Sequence, residues 1–249
     1  SKTRFSIISS CLKMLGWVVP PPKKPEKNRE ELLKERREKV RWLSERGFLR
    51  SSRMVKAMIK VPREDFVTEM YRDYAYLEVP LPIPGHNATI SCPHSYPMFY
   101  EALELKEGDK FLEVGAGSGY GAALAREIVG KDGKVVTMEI DKETYEFAKK
   151  NLERTGYTEV SLILGDGTLG YSAEAPYDKI CITAACPEIP KPLIHQLKLG
   201  GRLIAPVGRP EFTQDLVLLE KMQDKTLKTS FVEEVLYVPL KGKYGWSPS

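Results

Sequence analysis

Four places in the sequence carry residue types that could do chemistry together. NATISCPH (residues 87–94) sets Thr89, Ser91 and His94 in a short polar run. FLEVGAGSGYGAALA (residues 111–125) reads as a buried strand that stops in glycines and opens a helix. Gly115, Gly117 and Gly119 let the backbone pass close to a ligand, as only residues without Cβ can. The helix N-terminus that follows offers unpaired N–H groups to a polar or anionic group. Glu139 ends the next strand, 26 residues after Glu113, where an acid can take ribose hydroxyls. A third strand ends in Gly165–Asp166–Gly167, where a carboxylate and exposed amides could face an adenine edge. The set describes a nucleotide-type cofactor with a reacting group held over it.

The glycine spacing is G-x-G-x-G rather than the dinucleotide G-x-G-x-x-G, and no Lys-Ser/Thr pair follows, which excludes a P-loop. S-adenosylmethionine fits better than NAD: it has no pyrophosphate, an amino-acid end for the glycine turn and a ribose for Glu139. Each residue also has a plainer reading. Glu139 could be a strand-end surface carboxylate, and Asp166 a turn-former, since Asp-Gly is common in turns. Ser91 could cap a helix that begins near Pro93; spacing alone leaves capping and catalysis equally open. His94 could start that helix with no chemistry, and His86 and His195 read as surface residues.

A doubly wound α/β sheet would position these groups. From Lys110 onward, short apolar runs alternate with amphipathic helices: KFLEVG, helix 120–129, KVVTMEID, helix 142–155, VSLILGD, YDKICITAA, helix 191–196, GRLIAPVG. That alternation predicts a parallel sheet covered on both faces. DLVLLEKM and VLYVPL follow with no helix between them and predict an antiparallel hairpin at the sheet edge. Upstream, residues 93–105 read as a helix with Pro near its start, and the proline-rich 77–87 as a loop. Residues 52–60 read as another helix, followed by the turn VPREDFV. VVPPPKKPEK (18–27) is an extended proline break. Between Asn28 as N-cap and Gly47 as stop, Leu32, Leu33, Val40 and Leu43 would form a narrow apolar face on a surface helix. The expected organisation is a basic N-terminal extension over residues 1–46 and a catalytic domain over 47–249.

Composition narrows the class. At 249 residues, 42% hydrophobic and 29% charged, the chain suits one soluble α/β domain with an appendage. It has no run of 18 apolar residues to span a membrane. Residues 5–19 are interrupted by Lys13 and serines and lack a small-residue cleavage site, which argues against a signal peptide. Cys11, Cys92, Cys181 and Cys186 show no metal-type pairing; Cys181, in KICITAA, reads as a core residue. No metal and no disulfide is expected, and the compartment implied is a reducing cytoplasm. The net charge of +4 hides an asymmetry: residues 1–60 hold 17 basic and 6 acidic residues, the remainder 21 and 28. An acidic body argues against a broad nucleic-acid face there, while the basic N-terminal part could touch an anionic partner.

These residues resemble the protein-L-isoaspartate O-methyltransferases, repair enzymes of the class I, Rossmann-like methyltransferase fold. The similarity runs from about Gly47 to Leu240 and rests on VPREDFV, PLPI-x-x-x-x-ATIS-x-PH, EVGAGSGYGAALA, GDG-x-x-G, APYDKICITAACPEIP, LIHQLKLGGRLIAPVG and YVPL. The resemblance implies that Ser91 has the active-site role and that Ala88, Thr89, Ile90 and Ser91 line the meeting place of cofactor and isoaspartyl substrate. It implies that Gly115 and Gly117 pass the methionine end of S-adenosylmethionine, that Glu139 holds the ribose and that Asp166 and Gly167 face the adenine. Thr183 and Ala184 would border the acceptor. The partners implied are isoaspartyl-containing proteins and peptides, methylated on the free α-carboxylate by a cytoplasmic monomer. Asn87 stands where many members have Gln or Gly, and Cys92 where Ala or Gln is usual; residues 1–46 and KGKYGWSPS fall outside the recognised pattern. The rival is an RNA methyltransferase using the basic N-terminal region. Residues 183–190, TAACPEIP, hold no Asn/Asp-Pro-Pro-aromatic motif of base-methylating relatives, which counts against it. A cofactor-binding adaptor without catalysis ranks lower, since nothing in the site looks dismantled.

Overall fold

The structure, a computed structural model, describes residues 19–248. Cys11 and the stretch weighed as a signal peptide, up to residue 18, lie outside the described residues. Helix α1 (Arg29–Glu45) starts as expected, with the Asn28 side chain accepting the Glu31 N–H, and Gly47 follows its end at φ 78°. Leu32, Val40 and Leu43 are buried while Leu33 is only half-buried. Val40 and Leu43 join the same cluster as Phe111 of the sheet, and each such side chain contributes about 1.5–3 kcal/mol on burial. The helix also buries Arg36, which pairs with Glu64 and bonds the Tyr76 hydroxyl at 2.7 Å. VPREDFV therefore serves as the docking seat of α1. The extended 19–27 stretch runs back along the same side, where the Glu26 and Lys27 N–H groups donate to Asp73 at 2.9 and 3.2 Å.

After α2 (Ser52–Lys60) a two-stranded ladder pairs β1 (Leu81–Pro82) with β2 (Thr89–Ile90). It holds the intervening loop so that Thr89 and Ser91 emerge at a fixed place. Helix α3 spans Ser95–Leu103, shorter at both ends than the expected 93–105, and stops where Glu104 turns left-handed at φ 54°. Then come β3 (Lys110–Val114), α4 (Tyr120–Val129), β4 (Lys134–Glu139), α5 (Lys142–Thr155), β5 (Ser161–Leu164), β6 (Tyr177–Ile182), α6 (Lys191–Gln196), β7 (Leu197–Val207), β8 (Gln214–Lys221) and β9 (Leu227–Val235).

The seven-stranded sheet has the order β5-β4-β3-β6-β7-β8-β9, parallel from β5 to β7 and antiparallel from β7 to β9. Side chains alternate across it as strand geometry demands. Phe111, Val135 and Cys181 enter the cluster on one face, and Leu112, Val136 and Ile180 the cluster on the other. The chain moves outward from β3 to β5 and resumes on the opposite side at β6, so the strand order reverses between β3 and β6. A crevice opens there beyond the carboxyl ends.

The edge differs from expectation. The last strand is Leu227–Val235, and VLYVPL contributes only its first residue. Residues 227–234 carry Lys, Thr, Ser and Glu on a solvated edge, with Phe231 64% exposed, so no apolar run marks them. The apolar VLYVPL instead leaves the sheet and crosses to the end of β6, where Ala185 exchanges backbone bonds with Val238 and Leu240, each 2.8 Å.

Candidate active site

Beyond the reversal point lies a cavity of about 610 Å³, within the range of small-molecule and cofactor sites. Ala88, Thr89 and Ser91 from the β2 segment, Gly115 and Gly117 from the turn after β3, Glu139 at the end of β4, and Gly167, Thr183 and Ala184 after β5 and β6 all line it. Residues Leu236–Lys241 close it from above. Nine of the sequence-predicted residues thus meet in one space, though they come from four separate strand ends and a loop.

Two do not line it. Ile90 is 1% exposed and belongs to the core cluster, where it anchors the short β2 ladder. Asp166 is turned aside: its carboxylate accepts from the Thr168 N–H at 2.9 Å and hydroxyl at 2.7 Å, and from the Lys243 N–H at 2.8 Å. Of the two alternatives weighed for Ser91, helix capping is not what its side chain does. His94 occupies the N-cap position of α3 with no side-chain cap bond, and Ser91 faces the cavity.

The glycine turn is a backbone cradle. Gly115 sits at φ +100°, and a Cβ there would meet the Thr183 hydroxyl oxygen at 2.3 Å. That hydroxyl donates to the Val114 and Gly115 carbonyls, 3.0 and 2.8 Å away, which pins β6 to the turn. The Glu139 carboxylate accepts the Gly117 N–H at 3.0 Å and the Asp141 N–H at 3.1 Å. Burial raises its pKa against the pull of those backbone N–H groups.

Glu113 lies deeper, 2% exposed and accepting from the Thr137 hydroxyl at 2.6 Å. Desolvation pushes it up to about 8, with the Glu139 charge acting in the same direction and hydrogen bonds from Thr137 and Tyr100 opposing. A Cβ at Gly121 would stand 2.5 Å from the Glu113 carboxylate, so the first turn of α4 requires glycine to fit over it.

Sequence reasoning missed two contributors. Tyr96 and Tyr237 line the cavity; desolvation raises the Tyr237 phenol, while hydrogen bonding with Ser95 and Ser91 lowers it. The second is the segment after YVPL. The Tyr244 N–H donates to the Thr168 hydroxyl at 3.2 Å, the Trp246 indole N–H to the Ala185 carbonyl at 2.9 Å, and the Lys241 ammonium to the His86 carbonyl at 3.1 Å. KGKYGW carries no sequence signal for this role; only the apolar VLYVPL before it stands out, and that run reads as a strand. His86 and His195 are exposed as expected, with His86 at the cavity mouth.

The sequence model of protein-L-isoaspartate(D-aspartate) O-methyltransferases matches residues 34–245. The chain is 48% identical over 218 residues to the protein-L-isoaspartate O-methyltransferase of Staphylothermus marinus, covering 85% of this chain and 96% of that protein. It is 50% identical over 207 residues to the one from Methanococcus aeolicus, covering 83% and 94%. A solved protein-L-isoaspartate O-methyltransferase superposes with a TM-score of 0.77 at 33% identity, over 84% of this chain and 67% of the other. A Plasmodium falciparum structure described as a protein-L-isoaspartate O-methyltransferase in complex with S-adenosyl-L-homocysteine shares the fold at a TM-score of 0.73, with 24% identity over 83% and 98%. By sequence and by fold, the chain belongs to the protein-L-isoaspartate(D-aspartate) O-methyltransferase family.

Proposed function

We propose that this protein transfers a methyl group from S-adenosylmethionine to the free α-carboxylate of L-isoaspartyl residues in damaged proteins, the first step of repair through a succinimide. The observation that carries this reading is the shared cavity: the ATIS segment and the glycine turn with Glu139 face one another across a single space. The residues present suit the cofactor. Gly115 and Gly117 line the cavity as bare backbone at positive φ, and Glu139 presents a buried carboxylate at the end of β4. S-adenosylmethionine supplies an electrophilic methyl on a sulfonium.

The acceptor needs no base, because a carboxylate is ionised at neutral pH. The work left to the protein is orientation, which can supply several kcal/mol when reacting atoms are held about 3 Å apart. Ser91 orients the acceptor carboxylate by donating its hydroxyl, with Tyr237 fixing that hydroxyl. Glu139 takes the ribose hydroxyls, and Gly115 and Gly117 pass the methionine end. Thr183 and Ala184 border the acceptor, and Gly167 faces the base. Asp166 acts on the base side through the turn it caps.

No helix among the described residues is long and apolar enough to cross a membrane. Cys92, Cys181 and Cys186 are free thiols, which supports action in a reducing cytoplasm. The test is methyl transfer from labelled S-adenosylmethionine to paired peptides carrying L-isoaspartate or normal aspartate. Incorporation into the isoaspartyl peptide alone, as a base-labile ester, is the expected result; labelling of neither peptide with cofactor binding intact would overturn the reading.

A further inference from the structure

Beside Ser91, three side chains of metal-binding type converge. Glu78 comes from the loop before β1, and Cys92 and His94 from the segment that enters α3. One ligand atom of each lies within 4.8 Å of the others. His94 Nδ1 is 2.7 Å from Glu78 Oε2. The other carboxylate oxygen, Oε1, is buried with no hydrogen-bond partner and has the Lys39 ammonium 3.4 Å away. Cys92 is buried, and both Cys92 and His94 line the cavity.

Thiolate, imidazole and carboxylate together select a borderline-soft divalent cation, whereas Mg²⁺ and Ca²⁺ take oxygen ligands. Structural zinc sites close with four protein ligands, while three protein ligands leave one position open. We propose that Glu78, Cys92 and His94 form a three-ligand site for a cation of the Zn²⁺ class, with its fourth position open to the acceptor end of the cavity.

Binding replaces the His94–Glu78 hydrogen bond with two bonds to the metal, the imidazole proton moving from Nδ1 to Nε2. A third forms to the Cys92 sulfur as the thiol proton leaves to solvent. The thiolate and carboxylate cancel the charge of the ion, and Lys39 retains its contact with Oε1. Metal bonds of about 2.0–2.3 Å put tetrahedral ligand atoms about 3.5 Å apart, so atoms now within 4.8 Å of one another draw closer on binding. The alternative is a structural pair, His94 on Glu78, beside an inert core thiol. The consequence for activity rests on the function proposed above: a metal-bound position would take the substrate carboxylate as an oxygen ligand and draw it from Ser91.

Co²⁺ added to the full chain without thiol reductant tests the site directly. One equivalent should give an intense near-ultraviolet thiolate-to-cobalt band that stoichiometric Zn²⁺ abolishes. Cys92→Ser should remove the band and His94→Gln should weaken binding at least tenfold, while Cys11→Ser keeps it. Thermal melts identify a variant that fails to fold, in which case the remaining one decides. No band in the unmodified chain, or a band that survives Cys92→Ser, overturns the site. Zn²⁺ should also lower kcat for the isoaspartyl peptide, with apparent KM falling alongside it; an unchanged kcat with metal bound strikes out the inhibitory consequence and leaves the binding site standing.

Discussion

Replacing Gly115 by alanine tests how the turn at the end of β3 is built, because two separable costs converge on that residue. The first is conformational: φ is +100°, a region a side chain adopts at a cost of about 1–3 kcal/mol. The second is steric: the new methyl would come within 2.3 Å of the Thr183 hydroxyl oxygen. That hydroxyl bonds the Val114 and Gly115 carbonyls at 3.0 and 2.8 Å, and displacing it forfeits about 0.5–1.5 kcal/mol per bond. Thr183→Ala removes the oxygen and leaves only the Thr183 Cβ, an ordinary contact at 3.6 Å. Gly115→Ala should therefore cost about 2–5 kcal/mol alone and only about 1–3 kcal/mol on a Thr183→Ala background. Melting each member of the cycle reads the difference, since 1 kcal/mol corresponds to roughly 2–4 °C in a domain of this size. Strictly additive losses would show that Thr183 does not press on the turn, and the cradle would have to be explained by backbone conformation alone.

Glu139→Ala should weaken S-adenosylmethionine at least tenfold, about 1.4 kcal/mol, in calorimetric titration; an unchanged affinity removes Glu139 from the ribose. Ser91→Ala should lower kcat on an isoaspartyl peptide while leaving cofactor affinity within about twofold, and a normal kcat would take Ser91 out of the mechanism. Glu113 titrates near 8 in the fold against an ordinary 4.5, so between those values the folded chain holds a proton the unfolded chain has lost. Stability then falls as pH rises through that window, and the cost stays at its full value above it. Glu113→Gln should therefore melt higher than the parent at about pH 8.5 and lose that advantage near about pH 5. An advantage independent of pH would mean that Glu113 does not carry the proton.

The parallel core was legible because both of its signals are local. Helices 120–129, 142–155 and 191–196 match to the residue, since Gly119, Asp141 and Pro190 mark where each begins. Glu139 and the glycine turn were legible because strand ends at a reversal point must face the crevice. What escaped was set by tertiary contact. Strand β9 is polar on an exposed edge, so pairing with β8 and not apolar content makes it a strand. The apolar character of VLYVPL belongs to its place over the cavity. Asp166 looked free as a sequence, but residues 242–244 wrap back onto its carboxylate. Nothing local in the sequence marks Arg36 for burial, and only the fold supplies Glu64 and Tyr76 to pair with it. The convergence of Glu78 on Cys92 and His94 joins residues 14 and 16 positions apart, a spacing that matches no metal motif.

The segment 236–241 that lines the cavity, and the tail to Trp246 that ties it down, lie C-terminal to every strand of the sheet. A ribosome would therefore deliver the whole Rossmann-like core before the segment that encloses its crevice. A nascent chain halted before residue 236 would carry Ser91, Glu139 and the glycine turn on an open ledge, without Tyr237 or the Trp246 tie to Ala185. The residues that complete the cavity are thus made after the rest of the site. Any proteolytic nick between β9 and Trp246 would reverse that last step while sparing the sheet, so loss of ligand affinity should precede loss of the fold.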